Sequence, residues 1–307
     1  MMLEVLVQMA GLILCGIGWR WLEPAGLEPV QTRKVLTSLV YYLLLPALVL
    51  SVLWEAELGS TTFLIALSAA FAVFAGYLLS SVVCRVCSVR PAVSGAVILA
   101  AAFPNVTYLG LPVLEATFGP WARSVAIQFD LFACTPLLFT LGVVIAARYG
   151  TAAAGARNMT GELLRIPAVW AAFLAVCLNL LDVEMHALPA GVLGMLERGV
   201  VPLMLISLGL SLEWNRAQWR NLPTVVPVVL LRLLLIPALV TLFASVTGVS
   251  GELRAAVVME AAMPSMVLGI VFCDRYELDV GLYATMVTMT TVLSLVTLPL
   301  WYRWLVG

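Results

Sequence analysis

Ten apolar stretches of membrane-spanning length follow one another with little between them, at roughly 2–22, 30–54, 61–86, 92–118, 121–148, 163–182, 188–212, 222–247, 253–274 and 280–304. About 20 consecutive apolar residues cross the hydrocarbon of a bilayer, and inside lipid only helices or closed barrels satisfy their own backbone groups. Runs this long and uniformly apolar lack the alternation of barrel strands. The pattern therefore predicts an all-α integral membrane protein of ten transmembrane helices. Only 11% of the 307 residues are charged, too few to coat a water-soluble domain of that size. The stretches and their short connections use the whole sequence, so no soluble catalytic or regulatory domain is expected. Met1 to Leu22 lacks a basic N-terminal region, and Trp19-Arg20-Trp21 reads as an interfacial anchor. This stretch is expected to be a first span and not a cleaved leader.

The cations are unevenly shared between the two sets of loops. Arg20, Arg33, Lys34, Arg85, Arg90, Arg148, Arg157, Arg165, Arg216, Arg220 and Arg275 follow the odd-numbered spans. The opposite set holds Arg123, Arg198, Arg254 and Arg303, while Arg232 lies inside a span. Basic loops stay in the cytoplasm, so both termini are expected outside it, in a multi-pass protein of the cytoplasmic (inner) membrane.

Proline recurs where a membrane helix should be continuous. Ala101-Ala102-Phe103-Pro104-Asn105 in the fourth span returns 160 residues later as Ala261-Ala262-Met263-Pro264-Ser265 in the ninth, and Pro46 with Ser51 returns as Pro202 with Ser207. The echo divides the chain into halves, 1–150 and 160–307, joined by the glycine-containing interval from Arg148 to Arg165. Five spans in each half make the second half an inverted copy of the first. Each mid-span proline removes a hydrogen bond and clashes with the carbonyl four residues earlier, at a cost of about 3 kcal/mol. In the fourth span the disruption is expected to continue through Gly110 and Pro112. Broken helices at matching positions of two halves point to a transporter's central binding site.

If the two breaks cross at the bilayer midplane, two helix N-termini converge there. Each carries about half a positive charge and free N–H groups suited to a carboxylate. Pro104 and Pro264 with Asn105, Thr107, Tyr108, Ser265 and Met266 are the candidate substrate-binding residues. Carbonyls at the opposing helix ends would suit a sodium ion equally well. Met263 and Met266 flank the second break, and the surrounding stripe of Met259, Met286 and Met289 is packing material.

From Phe103 the sequence runs Phe103-Pro104-Asn105-Val106-Thr107-Tyr108-Leu109-Gly110-Leu111-Pro112-Val113-Leu114, followed by Phe118-Gly119. It resembles the proline–asparagine signature of the auxin efflux carrier family. Ala261-Ala262-Met263-Pro264, Asp274-Arg275-Tyr276 and Leu298-Pro299-Leu300-Trp301 are similar to that family's C-terminal region. The resemblance covers essentially the full chain, without the long central loop of some plant relatives. It implies a five-plus-five inverted repeat, with spans 1, 2, 6 and 7 as a scaffold through which a homodimer can form. Spans 3–5 and 8–10 would be a transport domain that moves like an elevator. Ser265 departs from the glutamine common in plant relatives, which counts against an auxin-like substrate.

Three ionisable residues lie deep in the spans: Asp130, Arg232 and Glu260. Each would cost about 2.5–3.5 kcal/mol or more if exposed to lipid, so each should face protein or water. Arg232 is expected to neutralise an anionic substrate or to pair with Asp130. The resemblance favours a functional basic residue before Pro237. Asp130 and Glu260 are the candidates for coupling to sodium or protons, and no other cofactor is expected.

Secondary transport of a small organic anion is the function these features favour. A bile-acid-type sodium symporter or a cation–proton antiporter on the same fold is the alternative, although such antiporters usually carry paired aspartates where this chain has Asp130 alone. An intramembrane enzyme would need a nucleophile with a base or clustered metal ligands. The single histidine, His186, lies in a loop, and Cys84 and Cys87 have no second pair. No basic patch suits a nucleic acid; the expected partners are the lipid bilayer and the solute.

Overall fold

In the computed structural model, residues 2–56, 58–151, 164–212 and 222–307 are described. The inter-repeat linker around Gly155 and Gly161, the basic loop with Arg216 and Arg220, and Glu57 lie outside them. Among the described residues the structure is all-helical, with no β-strand. The helical segments are α1 (Met2–Leu22), α2 (Pro29–Trp54), α3 (Ser60–Val86), α4 (Pro91–Ala102), α5 (Val106–Phe118) and α6 (Ala122–Tyr149) in the first half. The second half contains α7 (Pro167–Leu180), α8 (Ala187–Ser211), α9 (Leu222–Val246), α10 (Gly251–Ala261), α11 (Gly269–Arg275) and α12 (Val280–Val306). Six of them, α2, α3, α6, α8, α9 and α12, are long and apolar enough to cross a membrane. The stretches expected at 92–118 and 253–274 are each divided in two, because Pro104 and Pro264 sit between their halves.

Proline also starts helices. Pro29, Pro91 and Pro167 are the first residues of α2, α4 and α7, where a missing N–H costs no intrahelical bond and the fixed φ is already helical. At the start of α12 Asp279 caps the helix by accepting from the backbone N–H of Leu282 at 2.9 Å.

Four internal prolines are met by a different device. The π turns Val40–Leu44, Val106–Gly110, Asp130–Cys134 and Leu231–Leu235 each end two residues before a proline, namely Pro46, Pro112, Pro136 and Pro237. The residue before each proline donates five residues back instead of four, as from Leu111 to the Val106 carbonyl and from Ile236 to the Leu231 carbonyl. The widened turn gives the ring room. It also corrects one expectation: Gly110 and Pro112 do not prolong the break, because the helix resumes at Val106 and accommodates Pro112 by widening.

The halves pack reciprocally. α1 lies against the last part of α8 (Val200–Ser211), and α7 lies against the last part of α2 (Leu45–Trp54). Near the end of α1, Arg20 donates to the carbonyls of Leu210 and Leu212 at 3.1 and 3.3 Å. At the matching end of α7, Asn179 donates to those of Trp54 and Ala56 at 2.7 and 2.8 Å. Each side chain satisfies final helical carbonyls that have no intrahelical donor. The α1–α8 contact is backbone to backbone: a Cβ on Gly16 would strike Ile206 and Gly209, and one on Gly209 would strike Ile13 and Gly16. At the opposite end from the cavity described below, Arg123 of α6 bonds Glu197 of α8 at 3.1 Å and Glu115 of α5 at 2.5 Å.

Gly209→Val should force α1 and α8 apart and lower stability by about 1–3 kcal/mol, the range for overpacked cores. Thermal unfolding of the purified protein in detergent measures the loss; an unchanged transition would show that the close approach does not matter.

Candidate functional site

The two proline breaks are paired with each other. Pro104 and Ser265 form an antiparallel β-bridge. The Asn105 N–H donates to the Pro264 carbonyl at 2.8 Å, and the Met266 N–H donates to the Phe103 carbonyl at 3.0 Å. Backbone groups released by each proline are thus satisfied by the other break, which is what irregular chain at membrane depth requires. Two side chains reinforce the second break: Thr290 accepts from the Ser265 N–H at 3.1 Å, and the Tyr283 hydroxyl donates to the Met266 carbonyl at 2.8 Å. A glycine at position 76 lets α3 approach the first break, since a Cβ there would strike the Ala101 carbonyl.

A cavity of about 450 Å³ opens beside this junction. Asn105, Thr107, Tyr108, Asp130 and Met266 line it, whereas Pro104, Pro264, Ser265, Arg232 and Glu260 do not. The opposite wall comes from α2 and α8: Thr37, Tyr41 and Tyr42 on the first, Ser207 and Ser211 on the second. Thr37 and Ser207 share a hydrogen bond at 2.9 Å. Arg33 and Lys34, near the start of α2, form the basic mouth. The sequence reading missed α2 and α8 as cavity walls. The clue was available, since Ser207 belongs to the recurring proline–serine pair and Arg33-Lys34 adjoins a run of hydroxyl-bearing residues.

Asn105 is 1% exposed, and its side-chain Nδ2 has no hydrogen-bond partner among the described residues. It stands at the N-terminus of α5, where the first N–H groups of a helix lack intrahelical acceptors. A buried donor without an acceptor costs about 1–3 kcal/mol. Here the donor belongs to a residue that lines the cavity.

Asp130 receives hydrogen bonds from the hydroxyl of Thr107, across from α5, and from Thr135 at 2.8 Å. Thr135 lies five residues on, directly after the π turn, so the wide turn is what brings it beneath the carboxylate. Glu260 is fully buried; among the described residues neither carboxylate oxygen has a hydrogen-bond partner, and the group packs against Gly110. Arg232, also fully buried, donates to the carbonyls of Ala101 at 3.1 Å, Ala102 at 3.4 Å and Ala261. The expectation of a pair with Asp130 does not describe this geometry: the guanidinium is spent on helix-end carbonyls, and the aspartate on two hydroxyls. The Ser265 hydroxyl is buried and unpartnered, away from the cavity.

Among the described residues, an all-helical fold with six membrane-length helices and a largely apolar cavity beside interrupted segments is that of a multi-pass membrane protein. The sequence matches the family described as Membrane transport protein over residues 4–302. The chain belongs to that family, which is the auxin efflux carrier family. It is 32% identical over 306 residues to an uncharacterized transporter of Methanothermobacter thermautotrophicus, covering 97% of this chain and 96% of the relative. An uncharacterized transporter of Methanocaldococcus jannaschii is 24% identical over 286 residues, covering 90% and 91%.

A methyl group at position 110 would run into the Glu260 carboxylate. Gly110→Ala should therefore destabilise the protein by about 1–3 kcal/mol, and much less in a Glu260→Ala background. Thermal unfolding of both single variants and the double variant closes the cycle; equal costs in the two backgrounds would contradict the contact.

Proposed function

We propose that this protein is a secondary transporter of a small organic anion, which binds with its carboxylate at the Asn105 end of the cavity. The observation that carries the reading is Asn105 itself, a residue of the cavity wall at a helix N-terminus whose buried Nδ2 has no partner among the described residues. Thr107, Tyr108 and Met266 complete the wall on that side. Arg33 and Lys34 at the mouth favour an anion by raising its local concentration.

The reciprocal contacts of α1 with α8 and of α7 with α2, each closed by a side chain on helix-end carbonyls, support a five-plus-five inverted repeat. In this reading α4–α5 and α10–α11 are two broken spans that cross at the paired prolines. In the same reading the cavity mouth faces the cytoplasm and both termini lie outside it, in the cytoplasmic membrane, which the uneven distribution of basic residues supports. α1, α2, α7 and α8 form the scaffold and the remaining helices the transport domain. Opening the cavity to the other side must then part Arg123 from Glu197, which ties the two domains at the far end. Asp130, on the cavity wall with two hydroxyl donors, is the proposed coupling carboxylate.

Purified protein should gain thermal stability from one or more of a panel of small carboxylates, indole-3-acetate included, and Asn105→Ala should remove that gain while melting near wild type without ligand. A ligand present at about a hundred times its Kd stabilises by about 2.7 kcal/mol, well within reach of the measurement. An equal gain in the variant would place the carboxylate elsewhere.

A further inference from the structure

The two helices that run into the breaks, α4 and α10, end on carbonyls that nothing within a helix can satisfy. Ala101 and Ala102 close the first, and Ala261, at the repeat-equivalent place, closes the second. Each C-terminus carries about half a negative charge, so together they present roughly one. In transporters with interrupted helices, such ends and the carbonyls freed nearby are where a sodium ion is coordinated, since a hard cation in a membrane needs oxygen ligands.

Here those oxygens are taken. The Arg232 guanidinium reaches from the π turn of α9 and donates to Ala101 and Ala102 through Nη1 and to Ala261 through Nη2. Among the described residues it is the largest fully buried side chain, and no carboxylate forms an ion pair with it. Its position is fixed by Pro237, which calls for the widened turn. One tethered positive charge faces two half-charges, with donors aimed at the acceptors of both halves.

We propose that Arg232 is the resident cation of the paired breaks. It occupies the carbonyl oxygens a sodium ion would need, so that the anion site assembles and takes its ligand without sodium. This deepens the transporter reading and rests on it for the ligand, but the cation requirement is measurable with no organic ligand present. Arg232 is a positioning residue: it does not line the cavity and acts by holding the two helix ends that set Asn105 in place.

The test compares wild type, Arg232→Ala and Arg232→Lys by thermal unfolding at constant ionic strength. Choline chloride, sodium chloride and millimolar guanidinium chloride are titrated in turn. Wild type should melt at the same temperature in sodium and in choline. Arg232→Ala should melt several degrees lower and recover with guanidinium, a response that generic loss of packing does not produce. Arg232→Lys should lie between. Saturable stabilisation of wild type by sodium, absent with choline, would overturn the proposal, and this arm needs no variant to fold. An Arg232→Ala protein as stable as wild type and indifferent to guanidinium would overturn it as well. Failure of every carboxylate to bind wild type would count against the transporter reading alone and leave the cation result standing.

Discussion

The mutual pairing of the two proline breaks is the interaction on which the rest of this structure depends. Proline at membrane depth strands carbonyls and bends the chain, and lipid offers nothing to repair either. The chain meets this by setting two such segments antiparallel, so that Asn105 donates to Pro264 and Met266 donates to Phe103. Either break alone would be a defect. Together they form a short strip of extended backbone at the centre of a helical protein, with a guanidinium on one side and a cavity on the other.

The strip sorts the deep polar groups by what they face. Helix C-termini meet Arg232, which offsets their partial charge; at the N-terminus of α5, Asn105 lines the cavity with its Nδ2 unpartnered among the described residues. Asp130 stands between, already held by two hydroxyls, and Glu260 is sealed behind Gly110. Charges in such a place are expensive unless compensated, and of the three charged groups Arg232 and Asp130 show their compensation directly. Glu260 is the exception, and its two unpartnered oxygens mark it as a group with a role still to be assigned.

Much of this was legible in the chain. The helix interruptions follow from proline chemistry, and their pairing from the repetition of the same five-residue pattern at two places. Asn105, Thr107 and Tyr108 could be named because they immediately follow the first of these. The cavity's other wall was signalled only in part: Ser207 belongs to the recurring proline–serine pair, but Thr37, Tyr41 and Ser207 lie in stretches whose apolar composition marks only the ability to cross lipid, and hydropathy does not tell which face of a helix meets a void. The destination of Arg232 was equally out of reach, because a charge inside a span says that a partner exists and not whether that partner is a side chain or a peptide carbonyl. Gly110 and Pro112 misled for a definite reason. Proline breaks a helix of α pitch, but a turn with one extra residue absorbs it.

That extra residue has a consequence for descent. A π turn is, in effect, a helix carrying a one-residue insertion, and here Tyr41, Thr107, Asp130 and Arg232 all ride on such turns. Losing one residue from any of them would restore ordinary pitch and turn every later side chain of that helix by about 100°. The downstream proline would then face an unwidened turn. A deletion that shortens one of these helices by a single codon would therefore carry a steric penalty while the neighbouring proline persists. Spacing between the polar residue and its proline is in this sense a heritable unit, to be gained or lost whole.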